Sequence, residues 1–272
     1  MQTEKQRQKE AMKMLKDTSR TFYIPITMLN QELKKTVASA YLCMRAIDEI
    51  EDNEELDNGI KSHLLRETKT LLEEGFDQEA FDAVVEPYKD KLPEVSRRIG
   101  AWLATCPEGY EHKVREFTAV MAGGMAYWSE KDWNIQSRED LDSYTYYVAG
   151  LVGEMLSDIW RWHNGTETDD ELAVGYGRGL QAVNILRNVE EDAERGVSFI
   201  PDGWTREDLF DYAEENLEYG RRYMDDIHTR SILLFCRIPL ALAEKTLKAM
   251  KEGREKMTRS EVEETVADIQ NK

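Results

Sequence analysis

Proline and glycine are scarce: six and sixteen among 272 residues leave little room for a loop-rich, collagen-like or disordered chain. Cysteine is scarcer still. Cys43, Cys106 and Cys236 are odd in number and match no zinc or disulfide spacing. Each lies in apolar context, which reads as a small core residue. The four histidines are scattered and form no ligand cluster. No apolar run approaches the ~18 residues of a membrane span. The N-terminal MQTEKQRQKEAMKM has no apolar h-region. The expectation is a soluble cytoplasmic protein without a transmembrane segment, touching a membrane at most transiently. Basic residues are also short: 36 Lys and Arg face 54 Asp and Glu, a formal net charge of -18. Nucleic acid is not expected as a partner, because phosphate-backbone binding needs a basic stripe. Solubility accounts for the acid excess and says nothing of a site.

What remains is helical. Hydrophobic residues at 41% and charged residues at 33% suit helices with one apolar face. Periodicity near 3.6 dominates, and alternating strand patterns are nearly absent. It predicts helices over residues 4–17, 31–53, 60–75 and 77–90, and one from Pro93 that ends before Pro107. A long helix over 110–133 is expected to be interrupted at Gly123 and Gly124, which suggests close packing or access for a bulky ligand. Ser137 with Asp140 resembles a capping box for a helix reaching about Trp162. Further helices follow from Asp169 or Asp170 to about Gly196, then over 206–227 and 231–252, the first of these two capped by Thr205 with Asp208. Ser260 with Glu263 is expected to open the last. The reading is one all-α domain over 1–272 of about ten helices, beyond a simple four-helix bundle.

Two stretches carry chemistry. In AYLCMRAIDEIEDN at 40–53, helical spacing places Tyr41, Arg45, Asp48 and Asp52 on one face. Acid pairs four apart arise by chance in so acidic a chain, but this helix also carries Ala38, Tyr41, Met44 and Ile47 and is expected to be substantially buried. Two carboxylates about 4 Å apart at an effective dielectric near 20 repel by roughly 4 kcal/mol, so a cation or arginine should sit beside them. The second stretch, GLQAVNILRNVEEDAERG, brings Gln181, Asn184, Asn188 and Asp192 close to one face, with Glu191 beside them. Arg187 is placed to neutralise a carboxylate or a phosphate. For the amides alone, a polar network joining packed helices is the favoured reading. Oxygen donors repeated at i, i+4 on two helices also suit Mg²⁺ with phosphate oxygens in its remaining positions. Between the two lies SYTYYVAGLVGEMLSDI, whose Tyr144, Tyr146 and Tyr147 precede Gly150 and Gly153. Its small residues fit a tight helix contact or room for a long apolar chain.

In this combination the chain resembles the squalene/phytoene synthase family, with wording similar to its squalene and dehydrosqualene synthase branch. SRTF at 19–22, YLCMRAIDEIED at 41–52, YTYYVAGLVG at 144–153 and QAVNILRNVEEDAERG at 181–196 match its motifs in order. The resemblance implies a single-domain helical bundle around a central cavity. It also implies head-to-head condensation of two farnesyl diphosphates through presqualene diphosphate to squalene, with NADPH, or to dehydrosqualene. Mg²⁺ would be held by Asp48, Asp52, Asn188, Glu191 and Asp192. Ser19, Arg45 and Arg187 would bind phosphate, with Gln181 and Asn184 also on the substrate. Phe22 and Tyr41 would line the prenyl chains, and Tyr144 would assist proton removal. One position departs from the family pattern: Asn188 stands where the second motif begins with Asp. The alternatives are a diphosphatase releasing farnesol, a phytoene synthase-type coupling of C20 diphosphates, and a non-catalytic helical subunit. Oligomeric state and prenyl chain length are open.

Overall fold

The computed structural model describes residues 3–194 and 196–271. These residues form helices and connecting turns, with no strand among them. They group into two compact units, residues 1–132 and 133–272.

In the first unit, α1 (Glu4–Thr18) and α2 (Arg20–Met28) lead into α3 (Gln31–Glu51). Thr3 and Gln6 close a capping box on α1, and Asn30 caps α3 by accepting from the Leu33 N–H. Pro25 lies inside α2, which continues as helix across it. α3 is the central element: Leu33, Val37, Leu42, Ile47 and Ile50 are fully or nearly buried. Around it pack α4 (Asn58–Glu73), α6 (Glu94–Arg97), α7 (Ile99–Leu103) and α8 (Glu111–Glu130), while α5 (Gln78–Val85) packs on α4. The Ser39 hydroxyl donates to the Trp102 carbonyl at 2.8 Å, and Trp102 and Trp128 fill the core. The expected helix over 77–90 breaks at Val85, where a 3₁₀ turn carries Pro87.

The interruption expected at Gly123–Gly124 is absent, and α8 runs through it unbroken. A Cβ on Gly123 would meet the Lys69 stem of α4 at 3.0 Å. Packing of α4 on α8 therefore sustains helix where propensity is poor. Glu130 closes the same helix pair, accepting from Arg66 at 2.6 and 2.8 Å and from Ser62 at 2.5 Å.

The second unit contains α9 (Arg138–Thr145), α10 (Leu151–Asn164), α11 (Asp170–Glu194), α12 (Arg206–Tyr223), α13 (Arg230–Lys251) and α14 (Arg259–Gln270). The capping boxes at Ser137/Asp140 and Thr205/Asp208 form as expected. That of α14 is corrected to Thr258 with Glu261, because Ser260 already lies inside the helix and donates to Glu264. Between α9 and α10 the tyrosine motif takes π geometry over Tyr146–Gly150, a bulge that periodicity does not reveal.

Helix α11 is squeezed on two sides. A Cβ on Gly177 would fall 2.3 Å from the Ala149 carbonyl oxygen, and one on Gly153 would fall 2.2 Å from that of Ala173. Ala149 and Gly153 are four apart, as are Ala173 and Gly177, so two small-residue ridges lie backbone to backbone. On the other side, Gly175 meets the Tyr219 ring and Gly179 meets the backbone of Leu217 and Asn216 on α12. The small residues at Gly153 and Gly177 therefore serve helix contact rather than leaving room for a ligand.

Candidate active site

The candidate residues fall in both units. In the first, Ser19 caps α2: it is buried, and its hydroxyl accepts from the Phe22 N–H at 3.0 Å. The same hydroxyl interacts with the Tyr41 phenol, which also donates to the Thr18 carbonyl at 3.4 Å. Phe22 and Tyr41 have ring centroids 6.1 Å apart. Burial raises the Tyr41 pKa above its usual value. The helical spacing thus delivers an aromatic corner beside a serine.

One turn further along α3, Arg45 pairs with both Asp48 and Glu49. Its Nε is buried and has no hydrogen-bond partner, so the guanidinium keeps a donor for an acceptor beyond these two carboxylates. The stripe Tyr41–Arg45–Asp48 is half-buried and Asp52 is exposed, so the face runs along the edge of the core rather than into it. Asp52 is the C-cap of α3 and not a residue of the helix, which ends at Glu51.

Asp48, Glu51 and Asp52 offer carboxylate oxygens that all lie within 4.8 Å of one another. Glu51 was not among the residues singled out from sequence, although IDEIED places it three after Asp48. It is only 4% exposed, which neither charge spacing nor acidity indicates. Asp48 is pushed up to about 7, first by burial and then by the neighbouring Asp52 carboxylate, with Arg45 opposing. A cation relieves such crowding. The donor set is all hard oxygen, and opposite ligands in an octahedron around Mg²⁺ stand about 4 Å apart. Modest side-chain rotation brings 4.8 Å into that range, so the residues fit the ion.

In the second unit, α11 carries the other set. Gln181 and Asn188 are half-buried, Asn184, Arg187 and Glu191 are exposed, and Asp192 is buried. Asn184 donates to Gln181 at 3.4 Å, and the Arg187 Nε donates to the Asn188 side-chain oxygen at 3.3 Å. Arg187 is thus held beside the amide that stands where the family pattern has a carboxylate. Tyr144, on α9, is buried and stacks on Phe199 with centroids 4.7 Å apart and planes 20° apart. Phe199 carried no sequence signal. Tyr146 donates to Glu154 at 2.9 Å, and burial first, then that hydrogen bond, pushes its phenol up to about 12. No described helix is long and apolar enough to cross a membrane.

Known proteins resemble this chain over the stretch that holds these residues. The Squalene/phytoene synthase family model matches residues 15–211 and so spans every candidate above. The squalene synthase of Saccharomyces cerevisiae is 32% identical over 89% of this chain and 61% of its own length. That of Candida albicans is 34% identical over 76% of this chain and 47% of its own. The chain therefore spans less than two thirds of the length of these relatives. Among solved structures, the complex of TcSQS with the ligand E5700 aligns with a TM-score of 0.79 at 21% identity, covering 96% of this chain and 85% of that one. A dehydrosqualene synthase aligns with a TM-score of 0.66 at 20% identity over 98% of this chain and 96% of its own, so the fold is shared. With the family model covering well over half of its length and both acidic helices inside the match, the chain belongs to the squalene/phytoene synthase family.

Proposed function

We propose that this protein is a Mg²⁺-dependent head-to-head prenyltransferase that joins two farnesyl diphosphates through presqualene diphosphate to a C30 product. The observation that carries this reading is the cluster at the end of α3. Three carboxylates lie within 4.8 Å of one another beside an arginine that retains an unpartnered donor. That is the equipment for a metal-bound polyphosphate, and the family match supports a prenyl diphosphate as the substrate.

Asp48, Glu51 and Asp52, and likewise the oxygens of Asn188, Glu191 and Asp192, would hold Mg²⁺, which would supply the positive charge that makes diphosphate a leaving group. Arg45, Arg187 and Ser19 bind phosphate oxygens, and Gln181 and Asn184 donate from their amides. When the allylic C–O bond ionises, the double bond of the second farnesyl diphosphate attacks the cation. Loss of a proton, which Tyr144 assists, closes the cyclopropane of presqualene diphosphate. Phe22 and Tyr41 present ring faces that stabilise a cation and exclude water. The second ionisation would end in squalene where NADPH supplies a hydride, and in dehydrosqualene where a proton leaves instead.

The purified protein incubated with farnesyl diphosphate and Mg²⁺ should yield a C30 hydrocarbon by mass spectrometry, and its identity with and without NADPH assigns the second step. Farnesol alone would overturn the coupling. Asn188 favours that second reading: it removes one negative charge from the second motif, which weakens metal affinity and prolongs exposure of the cation to water. A C40 product from geranylgeranyl diphosphate would move the activity to the phytoene branch. Diphosphate release should disappear in Asp48→Ala. No release from any prenyl diphosphate would indicate a non-catalytic subunit.

A further inference from the structure

We infer that Phe199 is a positioning residue for Tyr144, holding the phenol ring where the reaction needs it. The inference rests on the function proposed above. Phe199 lies in the segment that follows α11, and this segment is tied at both ends. Near its start, the Val197 N–H donates to the Asp192 carbonyl at 2.9 Å. Near its end, the Asp202 N–H donates to the Gln136 carbonyl at 3.1 Å, just before α9 begins. Trp204 then packs against the Tyr212 ring, whose hydroxyl donates to Asp142 on α9 at 2.7 Å. The second anchor and the Trp204–Tyr212 contact therefore address the helix that carries Tyr144, while the first ties the segment back to α11.

Between them the Phe199 ring lies over the Tyr144 ring in an offset stack. A tyrosine can swing about χ1 and carry its oxygen several ångströms. A ring stacked on one face, within a segment anchored on both sides, removes that swing. Proton transfer is sensitive to such displacement, because misplacing a group by about 1 Å can cost a hundredfold. The anchor at Asp192 also ties the strap to a residue of the second acidic motif.

The test is a cycle of Phe199→Leu, Tyr144→Phe and the double variant, with Phe199→Tyr as the conservative control. Phe199→Leu should lower kcat between about two- and tenfold, the range an offset aromatic pair is worth, with KM for farnesyl diphosphate unchanged. Phe199→Tyr should restore it. In the Tyr144→Phe background, Phe199→Leu should cost nothing more. An undiminished kcat, or a loss that persists without the Tyr144 hydroxyl, would overturn the inference.

A second measurement needs no turnover. In protein labelled with ¹³C-tyrosine, the Tyr144 ring signal, identified by its absence in Tyr144→Phe, should shift in Phe199→Leu as the stacked ring current is lost. An unchanged signal would refute the stack. Should Phe199→Leu fail to fold, Phe199→Met carries both measurements. A wild type that releases no diphosphate would sink the proposed function, while the ring signal would still report whether Phe199 holds Tyr144.

Discussion

Replacing Gly177 with alanine sets local propensity against packing, and the two predict opposite signs. In the middle of α11, alanine should favour helix over glycine by about 1 kcal/mol. The added Cβ, however, would stand 2.3 Å from the Ala149 carbonyl oxygen, 2.7 Å from its carbon and 2.9 Å from the Gly150 Cα. Ordinary carbon–oxygen contacts lie near 3.3 Å or beyond, so the helices must part by about 1 Å. None of the obstructing atoms is the end of a flexible side chain. The displacement would also open the Gly153–Ala173 contact on the same crossing. Overpacking of this kind costs about 1–3 kcal/mol, and backbone against backbone belongs at the upper end. Subtracting the propensity gain leaves a net loss of about 2 kcal/mol, or roughly 4–8 °C in Tm for a chain of this size. Gly123→Ala is the internal control: its Cβ meets only the Cδ and Cε of Lys69, at 3.0 and 3.2 Å. That side chain can move aside, so Gly123→Ala should be neutral or stabilising by up to about 1 kcal/mol. Urea and thermal unfolding of both variants provide the assay. A Gly177→Ala protein as stable as wild type would refute the close-contact reasoning.

Other expectations follow from the two units. Glu51→Gln should weaken Mg²⁺ binding at least about tenfold by calorimetry, as loss of a charged oxygen donor requires; wild-type affinity would remove Glu51 from the cluster. Tyr176→Phe should cost about 1–3 kcal/mol, because the buried Tyr176 hydroxyl donates to the Cys236 carbonyl at 2.6 Å in the turn that Pro239 interrupts; an unchanged urea midpoint would contradict this. Glu130 is held down to about 2 by hydrogen bonds from Arg66 and then Ser62. A depressed carboxylate stabilises the fold above its unfolded value of 4.5, and the contribution is lost as pH falls through about 2. Because the pair is largely exposed, Glu130→Gln should cost under about 1 kcal/mol at pH 7. The gap from wild type should narrow once pH drops below 4.5, and a gap that widened there would reverse the sign.

The helices, two of their three expected capping boxes and the positions of the two acidic motifs were legible in the residues themselves. A 3.6-residue period and a Ser-x-x-Asp or Thr-x-x-Asp cap are local properties, and Ser137/Asp140 and Thr205/Asp208 form as their spacing implies. The side of α3 that carries Tyr41, Arg45 and Asp48 follows from the same period. Neighbours from distant parts of the chain decided the rest. Gly123 and Gly177 look alike as helical glycines, yet one faces a movable lysine stem and the other a carbonyl on a crossing helix. Glu51 stands apart from Asp48 and Asp52 in how far the core encloses it. The stack of Phe199 on Tyr144 spans more than fifty residues of chain. Periodicity records which way a side chain points from its own helix; what stands opposite depends on how helices pack, and that is a property of the tertiary structure alone.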